Sequence, residues 1–294
     1  MNTYNTRIAP SPTGDFHLGT ARTAYFNWLA ARSTGGKFFL RLDNTDRERS
    51  KWEHAANIID CMLWLGLDYE TIIQQCNNVD EYQRMAQSLV REGFAREENG
   101  AIISNPIDVP DFWVDEIAGE IPISQDDKGH INKGIVLIKS DGMATYHWSC
   151  VVDDWNYEIN FVIRGHDHIT NTSRQIALYK MLDAVSPSGA PIPKYAHVGL
   201  IHFQGKKLSK RDGAASVLEY ASKHYDPDAL LNFMARLGWG PRVDDKTTKL
   251  LPRERMLELF FEGGKMRSQS ANMDLAKLDS FDRKYKARKK NATL

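Results

Sequence analysis

Cysteine is scarce in this sequence: Cys61, Cys76 and Cys150 are the only three and no two are closely spaced, so neither a disulfide framework nor a cysteine zinc site is signalled. Long apolar runs are missing too. None approaches membrane-spanning length, and Met1-Asn2-Thr3-Tyr4-Asn5 lacks the apolar core of a leader, so a soluble chain in a reducing cytoplasm, without membrane contact, is expected. Neither sign of charge is in excess, because 38 Lys and Arg balance 38 Asp and Glu. A polyanion would therefore have to be held by a local basic patch rather than by the field of the whole molecule. Internal repeats and low-complexity tracts are absent as well.

What remains is an ordinary globular composition, 42% hydrophobic and 26% charged over 294 residues, enough for one large domain or two. The chain begins as strand, turn, helix. Arg7-Ile8-Ala9 is extended, Pro10 to Gly14 is rich in breakers, and Leu18 to Arg32 carries apolar residues at helical spacing until Gly35-Gly36 stops it. Lys37 to Asp43 reads as a buried strand, and the next helix places Trp52, Ala55, Ala56, Ile59, Met62 and Leu63 on one stripe. Strand and helix in alternation predict a parallel α/β layer. From about Leu67 to Gly142 the pattern is less regular, with Pro106, Pro110 and Pro122, and reads as an insertion. The alternation resumes with strand Asn160 to Arg164, helix Thr172 to Asp183 and strand His197 to Phe203, followed by the basic loop Gln204 to Asp212. Asp226-Pro227 is an N-cap with proline at the first helical position, opening a helical tail that ends in a basic stretch from Arg283 to Lys290. The expected divisions are residues 1–68, 69–142, 143–212 and 213–294.

Two segments carry chemistry. Pro10-Ser11-Pro12-Thr13-Gly14-Asp15-Phe16-His17-Leu18-Gly19 lies where a strand ends and a helix begins, a junction that aims backbone N–H groups and a helix dipole at one spot and so suits phosphate. His17 is placed to donate to a phosphate oxygen, and Gly19 lets a nucleotide lie close to the backbone. Alone, this segment reads equally as a tight turn with a surface histidine. Lys206-Lys207-Leu208-Ser209-Lys210-Arg211 follows a strand and offers mobile point charges for pyrophosphate, although such runs are often only solvated loops.

Together the two are specific. TRIAPSPTGDFHLGTART resembles the "HIGH" signature of the glutamyl branch of class I aminoacyl-tRNA synthetases, LRLDNTDRER its second-strand motif and GKKLSKRDGAASV its "KMSKS". YHWSCVVDD and NTSRQIALY extend the resemblance from about Thr6 to Tyr285. The resemblance implies a Rossmann-type nucleotide-binding domain with an inserted subdomain and a C-terminal helical, stem-contact-like segment. It implies activation of glutamate by ATP with Mg2+, and transfer to tRNA. On the nucleotide side it implies Pro10, Thr13, Gly14, His17, Gly19, Thr20, His166, Leu208, Ser209 and Lys210, with His17, Lys207 and Lys210 acting in catalysis. On the amino-acid side it implies Arg7, Ala9, Ser11, Asp43, Tyr146, Cys150 and Arg164, with Arg7 facing the substrate's side-chain carboxylate and Arg164 as the second arginine of the pocket.

Three positions depart from the family pattern. Asp43 stands where glutamate is usual for the substrate ammonium, and Cys150 where asparagine accompanies the tyrosine. Gly165-His166-Asp167-His168 replaces paired glutamates, and its two histidines read as nucleotide-site or surface groups rather than metal ligands. The chain also stops at Leu294, where glutamyl-tRNA synthetases continue into a helical anticodon-binding domain, and its insertion is shorter than that family's acceptor-stem-binding subdomain. A truncated ligase, a monomer, with reduced tRNA contact is therefore expected. The alternatives are a different acceptor (a modified tRNA base, as in the queuosine-directed paralogues, or a non-tRNA molecule) and a silent ATP-binding paralogue.

Overall fold

The computed structural model describes residues 2–46, 48–185, 192–203, 206–207, 216–241 and 250–292. It opens with β1 (Thr6–Ile8), α1 (Leu18–Ser33), β2 (Phe38–Leu42), α2 (Trp52–Trp64) and β3 (Ile72–Gln74), the three strands pairing in parallel in the order β1-β2-β3. There follow α3 (Val79–Arg91), β4 (Ala95–Glu98), β5 (Ala101–Ser104), β6 (Phe112–Asp115), β7 (Gly119–Pro122), α4 (Gln125–Lys133) and β8 (Val136–Ile138). The parallel pattern resumes with α5 (Tyr146–Asn156), β9 (Phe161–Gly165), α6 (Ile169–Val185), β10 (Lys194–Val198), β11 (Ile201–Phe203) and β12 (Lys206–Lys207). The last part holds α7 (Val217–Ser222), α8 (Pro227–Arg236), β13 (Trp239–Pro241), α9 (Arg253–Glu262), β14 (Gly264–Met266), β15 (Ala271–Asn272) and α10 (Leu275–Ala292).

A second sheet has the order β7-β6-β10-β9, with β10 parallel to both neighbours. It adjoins the first sheet through the Asn5 carbonyl, which accepts from Asn160 N (3.2 Å) and Phe161 N (3.3 Å), bringing the ends of β1 and β9 side by side. Residues 69–142, expected as an insertion, thus supply β3 to one parallel sheet and the β6–β7 hairpin to the other. β4, β5 and β8 form a small sheet of their own, and together with α3 and α4 they pack against α5 and α6.

Helix α1 is buried from Ala21 to Ala31 on every face, as a helix enclosed by a core must be. One continuous core runs from Ile8 past α1 to Leu278, Phe281 and Tyr285 of α10, while a second surrounds Tyr82, Trp148 and Tyr179. Gly36 is required where β2 begins, because a Cβ there would lie 1.9 Å from the Tyr4 carbonyl oxygen. The Asp226 cap is present, its side chain accepting from Asp228 N and Ala229 N, a contribution of about 1 kcal/mol.

Two sequence expectations are corrected. In α2 the buried face is Ala55, Ile58, Cys61 and Met62, whereas Trp52 and Leu63 are 69% and 78% exposed. The apolar residues of this helix form two stripes, and packing against α7 selects the one that does not contain the tryptophan. The expected strand His197 to Phe203 is two strands, β10 ending at Val198 and β11 starting at Ile201, and Gly199 between them passes so close to the Gln269 carbonyl that a Cβ would lie 2.1 Å from it. Among the described residues no helix is long and apolar enough to cross a membrane.

Candidate active site

A cavity of about 460 Å³ opens where β1 and β9 end and α1 begins, the place where parallel α/β sheets put ligands. Of the residues expected from sequence it gathers Arg7, Ala9, Pro10, Ser11, His17, Gly19, Thr20, Asp43, Tyr146 and Arg164. Thr13, Gly14, His166 and Cys150 do not line it. Only the backbone of Lys207 is described, in β12, and Leu208, Ser209 and Lys210 lie outside the described residues. The two ends of that basic segment nevertheless converge on the cavity. Ile201 of β11, which pairs with β12, lines it, and Ser216 forms an antiparallel bridge with His17 while Val217 N donates to Phe16 O (3.0 Å).

His17 is the N-cap of α1. Its Nδ1 accepts from Gly19 N (3.1 Å) and Thr20 N (3.4 Å), and Nε2 lies 3.2 Å from Thr20 Oγ1. The ring therefore sits where an anion would meet an uncapped helix end, and a phosphate there meets the ring edge in a region the dipole makes favourable to negative charge. Gly19 lets the cap sit close, since a Cβ there would lie 3.1 Å from His17 Nδ1 and Cε1 and would press on the ring.

The opposite wall is ionic. Asp154 binds Arg7 Nε (2.9 Å) and Arg41 Nη1 (2.6 Å), with all three side chains buried. Arg41 Nε also donates to Asp43 Oδ1 (2.7 Å), and its Nη2 to the Cys150 thiol sulfur (3.2 Å). Burial would raise the Asp154 carboxyl, but Arg7 and Arg41 hold it below the ordinary carboxylate value. Burial pushes the Cys150 thiol up, so it stays protonated and donates weakly to Asp43 Oδ2 (3.7 Å). Cys150 is thus placed behind Asp43 and Arg41 rather than at the cavity surface. Beside it Asp153 accepts from Gln75 (3.0 Å), Asn78 (2.9 Å) and Tyr82 (2.9 Å), fastening α5 to the turn after β3 and to α3.

Arg164 is different. It donates to His197 Nε2 (3.0 Å), Gln175 Oε1 (2.8 Å), Thr172 Oγ1 (2.7 Å) and the His168 carbonyl (3.4 Å), and lies over the Tyr195 ring. Every one of these partners is uncharged, and among the described residues Arg164 forms no ion pair. Sequence reasoning missed Arg41, Arg22 and Asp167, all of which line the cavity, as does His168, which the sequence read as a nucleotide-site or surface group. A signal for Arg41 was available: it is a charged residue inside the otherwise apolar run Phe38-Phe39-Leu40-Arg41-Leu42, matched by the acidic pair that ends Val151-Val152-Asp153-Asp154.

A strand–turn–helix cradle for phosphate, facing a wall of arginines at the ends of parallel strands, defines the nucleotide-using α/β class of the class I synthetases. The chain belongs to the family of class I tRNA synthetases (E and Q), catalytic domain, whose profile matches residues 3–100 and 103–286. It is 39% identical to the glutamate–tRNA ligase of Xanthomonas axonopodis pv. citri over 96% of this chain and 66% of that protein. It is 40% identical to that of Stenotrophomonas maltophilia over 94% of this chain and 65% of the relative. The chain thus spans just under two thirds of the length of these relatives. Among solved structures it resembles the glutamate-tRNA synthetase of Elizabethkingia anophelis (TM-score 0.79, 25% identity, 97% of this chain and 70% of that one). The fold is shared with a glutamate tRNA ligase from Elizabethkingia meningosepticum in complex with its amino acid (TM-score 0.82, 24% identity, 97% of this chain and 70% of that one).

Proposed function

We propose that this chain joins the α-carboxylate of glutamate to ATP, releasing pyrophosphate, and passes the glutamyl group to tRNA. The observation that carries the amino-acid assignment is Arg164: a buried cation at the cavity whose hydrogen-bond partners are all neutral retains its charge for an anionic side chain. The names of the curated relatives support the same reading.

The attacking carboxylate is ionised at neutral pH, with a reference pKa of about 4, so no protein base is needed to generate it. Its oxygen forms a bond to the α-phosphorus as the bond to pyrophosphate breaks. This chain's task is to hold the two reactants in line and to balance charge. Asp43, whose carboxylate Arg41 fixes, is proposed to meet the substrate ammonium, with Arg7 and Tyr146 lining the same cavity. Pro10, His17, Gly19 and Thr20 form the nucleotide side, with Lys207 and Lys210 proposed to approach the leaving pyrophosphate from the loop whose ends meet the cavity. Mg2+ would enter with the nucleotide and neutralise phosphate charge.

An ATP–pyrophosphate exchange screen of the twenty amino acids, with and without total tRNA, tests the proposal. Glutamate-dependent exchange is expected. Exchange supported only by another amino acid overturns the substrate, and charging of no tRNA alongside robust exchange overturns the acceptor.

A further inference from the structure

Behind the cavity three buried groups are chained across neighbouring strands. Arg164 of β9 donates from Nε to His197 Nε2 of β10 (3.0 Å), and His197 Nδ1 lies 2.7 Å from Asp115 Oδ2 of β6. The strand register makes this alignment, since His197 is the cross-strand partner of Arg164 and Tyr195 that of Asp115. Asp115 is tied down as well. Its Oδ1 accepts from Ile117 N and Ala118 N (both 2.9 Å), and its Oδ2 from His197 N (3.0 Å).

An ionised carboxylate only accepts, so the hydrogen sits on His197 Nδ1 and Nε2 is left as an acceptor for the guanidinium. Burial favours the uncharged ring and draws the His197 pKa down to about 4, while the hydrogen bonds from His197, Ala118 and Ile117 hold the Asp115 carboxyl low against the opposing effect of burial. The ring also separates the only carboxylate of this series of contacts from the guanidinium. Asp115 fixes the direction of Arg164 without pairing with its charge.

We propose that His197 and Asp115 are positioning residues for substrate recognition: the neutral imidazole between carboxylate and guanidinium holds Arg164 in one orientation and keeps Asp115 from forming an ion pair with it, so that the guanidinium can pair directly with an anionic group of the substrate. This rests on the reading of the cavity as a glutamate site, and its tests are chosen so that the two fail separately.

Nitrogen-15 NMR of the full chain reads the tautomer without any substrate. The expected result is a neutral His197 protonated at Nδ1, with an Arg164 Nε–H signal protected from exchange that is lost in His197→Leu. A protonated ring, or hydrogen on Nε2, overturns the proposal. Exchange kinetics give the second readout. His197→Leu and Asp115→Asn should raise the glutamate KM by about 10- to 100-fold, the range for losing an outer hydrogen-bond partner, with the ATP KM within about twofold. His197→Gln, whose amide accepts from Arg164 and donates to Asp115, should recover most of that loss. An unchanged glutamate KM, a parallel rise in the ATP KM, or a glutamine variant no better than leucine overturns it. If the wild-type chain supports no exchange with glutamate, the glutamate reading falls alone, and the tautomer measurement still decides whether the relay exists.

Discussion

Replacing Asp154 by asparagine removes the one negative charge that Arg7 and Arg41 share, at 2.9 and 2.6 Å, from a site where no side chain of the three is more than 6% exposed. At an effective dielectric of about 20, each contact corresponds to roughly 4 kcal/mol of gross attraction or more, most of it offset by the cost of burying the charges. What survives in a difference measurement is the stranding of the remaining partner, about 3–5 kcal/mol for a buried pair. Asp154→Asn should therefore lose about that much stability near neutral pH, read from urea unfolding. The sign of its pH dependence is fixed. The folded carboxyl is held below its ordinary value, so its contribution is complete above the unfolded pKa of about 4 and disappears as pH falls through the lower folded value. The gap between variant and wild type should close on acidification. A loss under about 1 kcal/mol near neutrality, or a gap that stays constant through the acid range, refutes the ionic account of this wall.

Gly36→Ala would place a Cβ 1.9 Å from the Tyr4 carbonyl and should cost more than about 2 kcal/mol in urea unfolding; a neutral substitution would show that the entry to β2 is not tightly packed. Lys210→Ala should slow pyrophosphate exchange by about 100-fold or more while leaving the unfolding curve unchanged, as expected for a group that stabilises charge only during reaction. His147 and His197 are both drawn down to about 4, chiefly by burial. Unfolded histidine takes its proton near 6.5, so stability complete above that value should decline as pH falls toward 4, and His147→Leu should flatten the decline; an unaltered slope rules His147 out.

The cradle around residues 10 to 20 is legible in the sequence because strand, breaker and helix follow one another within a single stretch, and local spacing reports local structure. Arg164 is legible as a residue at a strand end. The partners that give these side chains their chemistry are not. Arg41 meets Asp154 across 113 residues and His197 meets Asp115 across 82, the latter pair joined by the parallel pairing of β6 and β10. No periodicity within a strand announces which distant strand will lie beside it. The same limitation hides β3 and β6, whose apolar runs are too short to announce a strand, the second of them also set among Pro106, Pro110 and Pro122. Cys150 lies one layer behind the surface where its motif suggests it, because sequence conveys which residues are near a pocket but not that an arginine stands between them and its surface.

The Arg22 guanidinium, drawn down to about 10 by burial, lines the cavity and donates to the carbonyls of Gly199 (2.5 Å) and Leu237 (2.6 Å). One rivet therefore joins α1, the link between β10 and β11 and the end of α8. The helices after residue 216 are the outer casing of α1, and a chain shortened to its first 212 residues would uncover Phe26 and leave Arg22 without the Leu237 carbonyl. The parallel sheets and the helices that follow them cannot be parted without opening the wall of the cavity itself.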